Sequence, residues 1–458
     1  MFEKYYQKEA KPIDLYAYCP PGCQAGDYVV GKKVDEDMRS VERYKEYKDV
    51  GFNMVMSGTV GTYYGEEWET SMCKKMLDTV FAAGIQKYIV GDQAFYECSR
   101  QREGLIGEGK KFASEAELDA FVANRIKDYS KHPAFYGVYL ADEPHYYYFK
   151  AFGQLYRSIK RVCPKAFVYC NLLPLDTLRW MDERYPKGGD LLERRKKYLN
   201  MFLDETGADY IKYDDYTFCH NKENKVLLLR CLQDAAALCR DRKKKLSFIA
   251  QSFSMKIGGH DYYWTPNEQE MRYQLHLLLG FGVKDLGFFT YLPHGAGGGE
   301  EFPDDGAMLN RAGEKMPLYA ITQKIIQELH EIAPVVMHFE YQKSAYEVAT
   351  FHSFLKQLDY ATNEELDNVQ SFETDSEGVL INELYDEEEN QYLYRVINMA
   401  EVRCEEIAGV LQNTKIRFDE KFKFADVYAN GKWVTKNLEN GALDVALLPG
   451  DAAYVLIY

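Results

Sequence analysis

The chain has 458 residues, 46% hydrophobic and 15% aromatic, with 38 tyrosines and a formal net charge of −15. That composition excludes a disordered or low-complexity chain. The acidic balance argues against a nucleic-acid binder, which needs clustered Lys and Arg to meet phosphates, and suits an enzyme acting on a neutral substrate.

The length exceeds what one hydrophobic core fills, about 250–300 residues, so a large domain plus a smaller one is expected. The opening, Met1-Phe2-Glu3-Lys4-Tyr5-Tyr6-Gln7-Lys8, has no apolar run of the signal-peptide kind. No stretch approaches the ~18 apolar residues of a membrane span. A cytoplasmic location without membrane contact is the expectation. Ten cysteines are scattered at irregular spacing without a CxxC pair. Cys163, Cys170 and Cys239 sit in apolar runs, so reduced structural thiols are expected.

Taken in chain order, short β-rich runs predict strands over 13–18, 53–56, 86–90, 135–140, 166–172, 210–216, 246–252 and 286–291. Amphipathic stretches predict helices over 115–129, 148–162, 191–206, 225–242 and 268–281, with a last one near 318–331. Gly51, Gly84 and Gly282 stand where helices should stop. Alternating strands and helices predict an α/β fold, a (β/α)8 TIM barrel over residues 1–335 that carries the catalytic site. A doubly wound sheet is the rival, but its Gly-rich turn is missing: the first turn reads Cys19-Pro20-Pro21-Gly22-Cys23. From residue 336 the texture changes. Runs at 379–384, 391–398, 422–428 and 452–458 alternate with Asp-, Asn- and Gly-rich turns. They predict a small antiparallel β-sandwich over 336–458, an accessory domain whose default role is to brace the barrel.

Barrel active sites lie at the C-terminal ends of the strands. Those ends carry Asp92 (third strand), Asp142-Glu143-Pro144 (fourth), Asn171 (fifth), Asp214-Asp215-Tyr216 (sixth), Gln251-Ser252 (seventh) and Tyr291 (eighth). Carboxylates and amides bond sugar hydroxyls, and aromatics cover sugar ring faces. Asp92, Asp142, Asn171, Asp215, Tyr216, Gln251 and Tyr291 are therefore candidate substrate contacts. Trp180 and Trp264 are candidate stacking platforms, with packing against the barrel rim the plain alternative. Glycoside cleavage needs two carboxyl groups, one to protonate the leaving oxygen and one to attack or to activate water. Glu143 is the candidate acid, because burial and neighbouring carboxylates raise a carboxyl pKa at such a mouth. Its structural alternative is to cap the next helix or pair with an arginine. Asp214 is the candidate partner, preferred over Asp215, which projects to the opposite side of an ideal strand.

Other chemistries find less support. A metal centre would need clustered ligands, yet no HxH ends the first strand and no HExxH occurs. His145, His220, His260 and His294 are read as hydrogen-bonding groups of the rim or substrate. The Gly295–Gly299 run could cradle a phosphate, but Glu300 and Glu301 follow it. No GxSxG elbow occurs, and Cys19 and Cys219 show no ordered His–acid partner in the sequence. No metal and no cofactor is expected. No sequence feature marks an interface with another copy.

The segment His132-Pro133-Ala134-Phe135-Tyr136-Gly137-Val138-Tyr139-Leu140-Ala141-Asp142-Glu143-Pro144 resembles the fourth-strand region of clan A glycoside hydrolases and related uncharacterised gut-bacterial hydrolases. Asp209–Tyr216 is similar to their sixth strand and Gly282–Tyr291 to their eighth. Val427–Trp433 and Leu448–Asp451 resemble the sandwich that often follows. The resemblance implies a glycosidase acting on an oligosaccharide or glycoside, with Glu143 as general acid. One departure stands out. Clan A enzymes place a nucleophilic Glu at the end of the seventh strand, where this chain has Gln251. Three alternatives follow: a sixth-strand aspartate serves, the substrate supplies its own nucleophile with Asp142 orienting it, or the barrel is degenerate and binds carbohydrate without cleaving it.

Overall fold

The computed structural model describes residues 1–22, 38–57, 61–174, 182–220, 223–294, 301–348, 363–400, 402–403 and 409–458. Eight parallel strands form the predicted barrel in chain order. The first, Leu15–Ala17, pairs with the eighth, Val283–Phe289; the eighth pairs with the seventh, Lys245–Gln251, and the seventh with the sixth, Tyr210–Asp214. A second run joins Val55–Met56, Tyr88–Gly91, Phe135–Asp142 and Phe167–Asn171. Two joints close the ring. Leu172 bridges to Tyr213, and the amides of Asn53 and Met54 donate to the Leu15 carbonyl at 3.0 and 3.1 Å.

Local sequence explains the helices around this ring. Ser114, Asp190 and Asn267 each accept a hydrogen bond from the third residue of the following helix, and Glu193 and Glu270 complete capping boxes. Losing one such cap costs about 1 kcal/mol. Gly84 and Gly282, at the predicted stops, have φ of +81° and +77°, a region that only glycine enters freely. A helix and a hairpin of the barrel have no counterpart in the periodicity. Helix Gln93–Ser99 is seven residues long and starts from the Asp92 cap rather than from an apolar stripe. The hairpin Met255–Ile257/His260–Tyr263 follows the seventh strand and is largely polar.

Inside the ring, Tyr16, Met54, Met56, Ile89, Tyr169 and Ile249 form a plug separate from the shell between strands and helices. After the last barrel helix, Pro317–Val336, the chain turns antiparallel. A six-stranded sheet runs in the spatial order Glu340–Val348, Gly378–Asp386, Gln391–Asn398, Ala452–Ile457, Phe424–Ala429, Lys432–Asn437. It packs on a three-stranded sheet of Val369–Thr374, Gln412–Phe418 and Ala442–Leu447 around Ile381, Val396, Ile416, Phe418 and Val455. The eight described cysteines are free thiols, seven of them buried. Among the described residues no helix is long and apolar enough to cross a membrane.

Candidate active site

Side chains on a strand alternate, so residues two apart share the barrel interior. Strand one sends in Tyr16 and Tyr18, strand five Tyr169 and Asn171, strand six Lys212 and Asp214. On strand four a register shift between Tyr139 and Ala141 adds one residue. Tyr139 therefore stacks on Tyr169, ring centroids 5.6 Å apart, while Asp142, three residues on, pairs with Asn171.

Asn171 is the centre of the mouth. Its Nδ2 donates to Asp142 Oδ1 at 2.9 Å and to Asp214 Oδ1 at 2.7 Å. The two carboxylates therefore approach each other across one amide. Asp214 is 5% exposed, and burial, then the Asp142 charge, push its carboxyl up to about 7; Asn171 and Tyr216 oppose the shift by hydrogen bonding. Asp142 opens to solvent at its tip, yet the protein packed around it still raises it, against the Asn171 bond and the Arg184 and Arg100 charges. Two close carboxyls cannot both ionise easily, so the pair titrates as a unit. Asp214 is the more buried of the two, and the Arg184 and Arg100 charges favour the ionised form of Asp142.

Glu143 sits beside this pair in a left-handed backbone conformation, φ +44°. For a residue with a side chain that conformation costs roughly 1–2 kcal/mol. Two bonds hold it: the Glu143 amide donates to the Asn171 carbonyl at 2.8 Å, and Arg184 Nη1 donates to the Glu143 carbonyl at 3.2 Å. The same Nη1 meets Glu143 Oε2 at 3.3 Å. The carboxylate is thus ion-paired, the arginine alternative weighed from the sequence.

Other predicted contacts are distributed differently. Asp92 has a fully buried carboxylate that caps helix Gln93–Ser99, forks onto Arg125 at 2.8 and 3.1 Å, and accepts from Tyr129. Gln251 is buried and its amide ties three backbone segments together, at Phe218, Phe253 and Trp264. Tyr291 lies two residues past the end of its strand with its ring against Tyr47 and Phe52, fully buried. All three are buried in this structure. Asp215 is buried on the outer side of strand six, where its charge acts on the buried Arg195 guanidinium. Trp264 donates Nε1–H to Glu270 at 2.9 Å and has the Arg403 guanidinium 4.9 Å from its ring. Tyr216 stays in the mouth, in an aromatic wall with Phe253 and Phe289. Trp180 and the 295–299 run lie outside the described residues.

The sequence reading missed several groups. Arg184 ends the short 3-10 helix Asp182–Arg184, 41 residues after Glu143. Tyr18 and Tyr169 were legible only as alternate positions on their strands. Cys19 Sγ lies 3.5 Å from His294 Nδ1, a pairing 275 residues apart in the chain. Chemically the mouth offers two carboxyls bridged by one amide, phenols, and an arginine-bound glutamate.

No family model matches this chain, and no curated protein does. Its fold is nevertheless that of solved glycoside hydrolases. A family 5 glycoside hydrolase from Bacteroides vulgatus is similar with a TM-score of 0.52 at 12% identity, over 93% of this chain and 86% of that one. A family 27 β-L-arabinopyranosidase from Geobacillus stearothermophilus matches with a TM-score of 0.51 at 11% identity, over 99% and 98%. An Asp-to-Ala variant of that enzyme, solved with arabinose, matches with 0.50 at 12%, over 99% and 98%. At such identities the likeness is one of fold.

Proposed function

We propose that this chain is a glycoside hydrolase that cleaves an O-glycosidic bond with the Asp142–Asp214 pair, the barrel over 1–335 being catalytic and the sandwich over 336–458 accessory. The observation that carries this reading is the single Asn171 amide hydrogen-bonded to both carboxylates. Bonds of 2.9 and 2.7 Å laid end to end set an upper limit on the gap between the two oxygens. The bonded oxygens are thus held closer than the ~6.5–9.5 Å gap of inverting enzymes, which supports a retaining reading. Asp214, raised to about 7, protonates the leaving oxygen. Asp142 attacks the anomeric carbon, and water then releases the sugar with Asp214 acting as base. A sixth-strand and a fourth-strand carboxyl thereby replace the seventh-strand Glu that Gln251 rules out.

A second reading keeps Glu143 as the acid, with Asp214 its partner. Its support is the left-handed backbone that holds Glu143 beside the mouth. Its opposition is Arg184, since an ion pair favours the charged form and a proton donor must hold its proton.

The test is hydrolysis of a panel of 4-nitrophenyl glycosides, both anomers, by wild type and by Asp142→Asn, Asp214→Asn and Glu143→Gln. The pair reading expects each Asp variant to lose about a thousandfold or more and Glu143→Gln roughly tenfold. A thousandfold loss confined to Glu143→Gln and Asp214→Asn moves the role to the second reading. Sugar binding without turnover in wild type leaves a carbohydrate-binding protein.

A further inference from the structure

Two arginines stand on the strand-four side of the mouth. Arg100 follows helix Gln93–Ser99, whose Ser99 Oγ donates at 2.8 Å to the carbonyl of Leu140, two residues before Asp142. Arg102 Nη2 donates to the Tyr147 hydroxyl at 3.3 Å. Tyr147 in turn stacks on His145, two residues past Glu143, with ring centroids 4.6 Å apart. Both guanidiniums lie over tyrosine rings, Arg100 at 4.1 Å from the centre of Tyr96 and Arg102 at 4.4 Å from that of Tyr147. Both arginines are exposed, and among the described residues neither forms an ion pair. The acid next in sequence, Glu103, is paired with Lys110 at 3.0 Å.

A guanidinium laid on a ring keeps N–H donors free at its edge, and that planar fork fits a carboxylate or a sulfate. The ring contact also orders the side chain before a ligand arrives, which lowers the cost of binding. The charge of this arc is felt in the mouth. Asp142, raised by burial, is pulled back by the Asn171 bond and then by Arg184 and Arg100. His145 is lowered by burial first and then by Arg184 and Arg102. Arg184 is engaged with Glu143, which leaves Arg100 and Arg102 for a ligand. The strand-six side differs in kind: Tyr216, Phe253 and Phe289 form an aromatic wall, which Phe302 extends. The net charge of −15 averages over the whole surface and does not describe this arc. An acidic chain repels anions unless a local cluster of cations draws them in.

We propose that the mouth takes an anionic sugar, one carrying a carboxylate or a sulfate ester, with Arg100 and Arg102 as the specificity-determining residues that bind that group. The sugar's apolar face then lies toward the aromatic wall. This rests on the reading of the mouth as a sugar site given under the proposed function.

The experiment is calorimetric binding of oligosaccharides to the full chain in three arms matched for backbone: neutral hexose oligomers, the corresponding hexuronic acid oligomers, and the hexose oligomers bearing sulfate esters, each in the galactose, glucose and mannose series. Wild type is compared with Arg100→Gln, Arg102→Gln and the double variant. Expected is binding of a charged arm at least about tenfold tighter than of its neutral counterpart, and which charged arm it is separates carboxylate from sulfate. Each single variant should cut the charged-to-neutral affinity ratio by roughly five- to tenfold. Raising salt from roughly 10 to 150 mM should weaken the charged arm and not the neutral one. A merely structural role would weaken both arms together and leave the ratio unmoved. Equal affinity for charged and neutral arms, or a ratio unchanged in the double variant, overturns the inference. Hydrolysis that depends on Asp142 and Asp214 would then leave the pair reading standing. A charged arm bound through the arginines but not hydrolysed upholds the inference and sinks the pair reading. No binding in any arm sinks both.

Discussion

Gln251 and Phe218 exchange two hydrogen bonds: the Phe218 amide donates to Oε1 at 2.9 Å and Nε2 donates to the Phe218 carbonyl at 3.2 Å. The same Nε2 reaches the carbonyls of Phe253 and Trp264 at 3.4 and 3.2 Å. The seventh strand therefore ends in a donor where clan A enzymes are expected to have a carboxylate. Gln251→Glu, a nominal repair, would set an anion against three carbonyl oxygens in a dry site. Expected is a loss of about 2–4 kcal/mol by urea unfolding and no gain in glycosidase activity. A stable, more active variant would show that this position faces substrate.

Asp214 makes stability depend on pH with a predictable sign. Its carboxyl is raised to about 7 by burial first and by Asp142 second. In the unfolded chain it ionises near ~3.9. Below that both states hold the proton and nothing depends on it. Between about pH 4 and pH 7 the unfolded chain releases the proton first, so stability falls by at most ~1.4 kcal/mol per pH unit; above that window the loss is complete. Asp214→Asn lacks this slope. Its urea stability should gain on wild type by up to about 4 kcal/mol from pH 4 to pH 8. Parallel curves would mean that Asp214 ionises as an ordinary carboxyl.

Tyr291 buries a hydroxyl that has no partner among the described residues, its ring held by Tyr47 at 5.0 Å. Tyr291→Phe should be neutral or stabilising by up to ~1 kcal/mol, with KM unchanged. A raised KM would return this residue to the substrate surface.

Arg403 reaches from the C-terminal sheets to the barrel. Its Nε and Nη2 fork onto Glu270 at 2.6 and 2.8 Å, and Nη2 also donates to the Thr265 carbonyl at 3.1 Å. The Glu270 carboxylate is buried and also holds the Trp264 indole and the Asn267 amide. Arg403→Met removes the cation and leaves that carboxylate with neutral donors only. Expected is a loss of roughly 2–3 kcal/mol, less than for a fully buried pair because Arg403 is exposed. A change under 0.5 kcal/mol would make this an ordinary surface ion pair.

Much of this protein was legible in order of sequence. Short β-rich runs alternating with helical stretches marked the barrel strands. The stops at Gly84 and Gly282 marked helix ends, because left-handed φ is decided within one turn of chain. The acids at the ends of strands four and six could be listed on the same local grounds. What those acids do required the closed ring. Asp92 and Gln251 look like sugar ligands in a list of strand ends, and only the tertiary structure shows their polar atoms already taken by Arg125, Tyr129 and three loop carbonyls. Asp142 and Asp214, 72 residues apart in the chain, become a pair because strand five places one amide between them. Strand identity follows from neighbours in sequence. Protonation follows from neighbours in space, since desolvation and Coulomb energy depend on what the fold brings within a few ångströms.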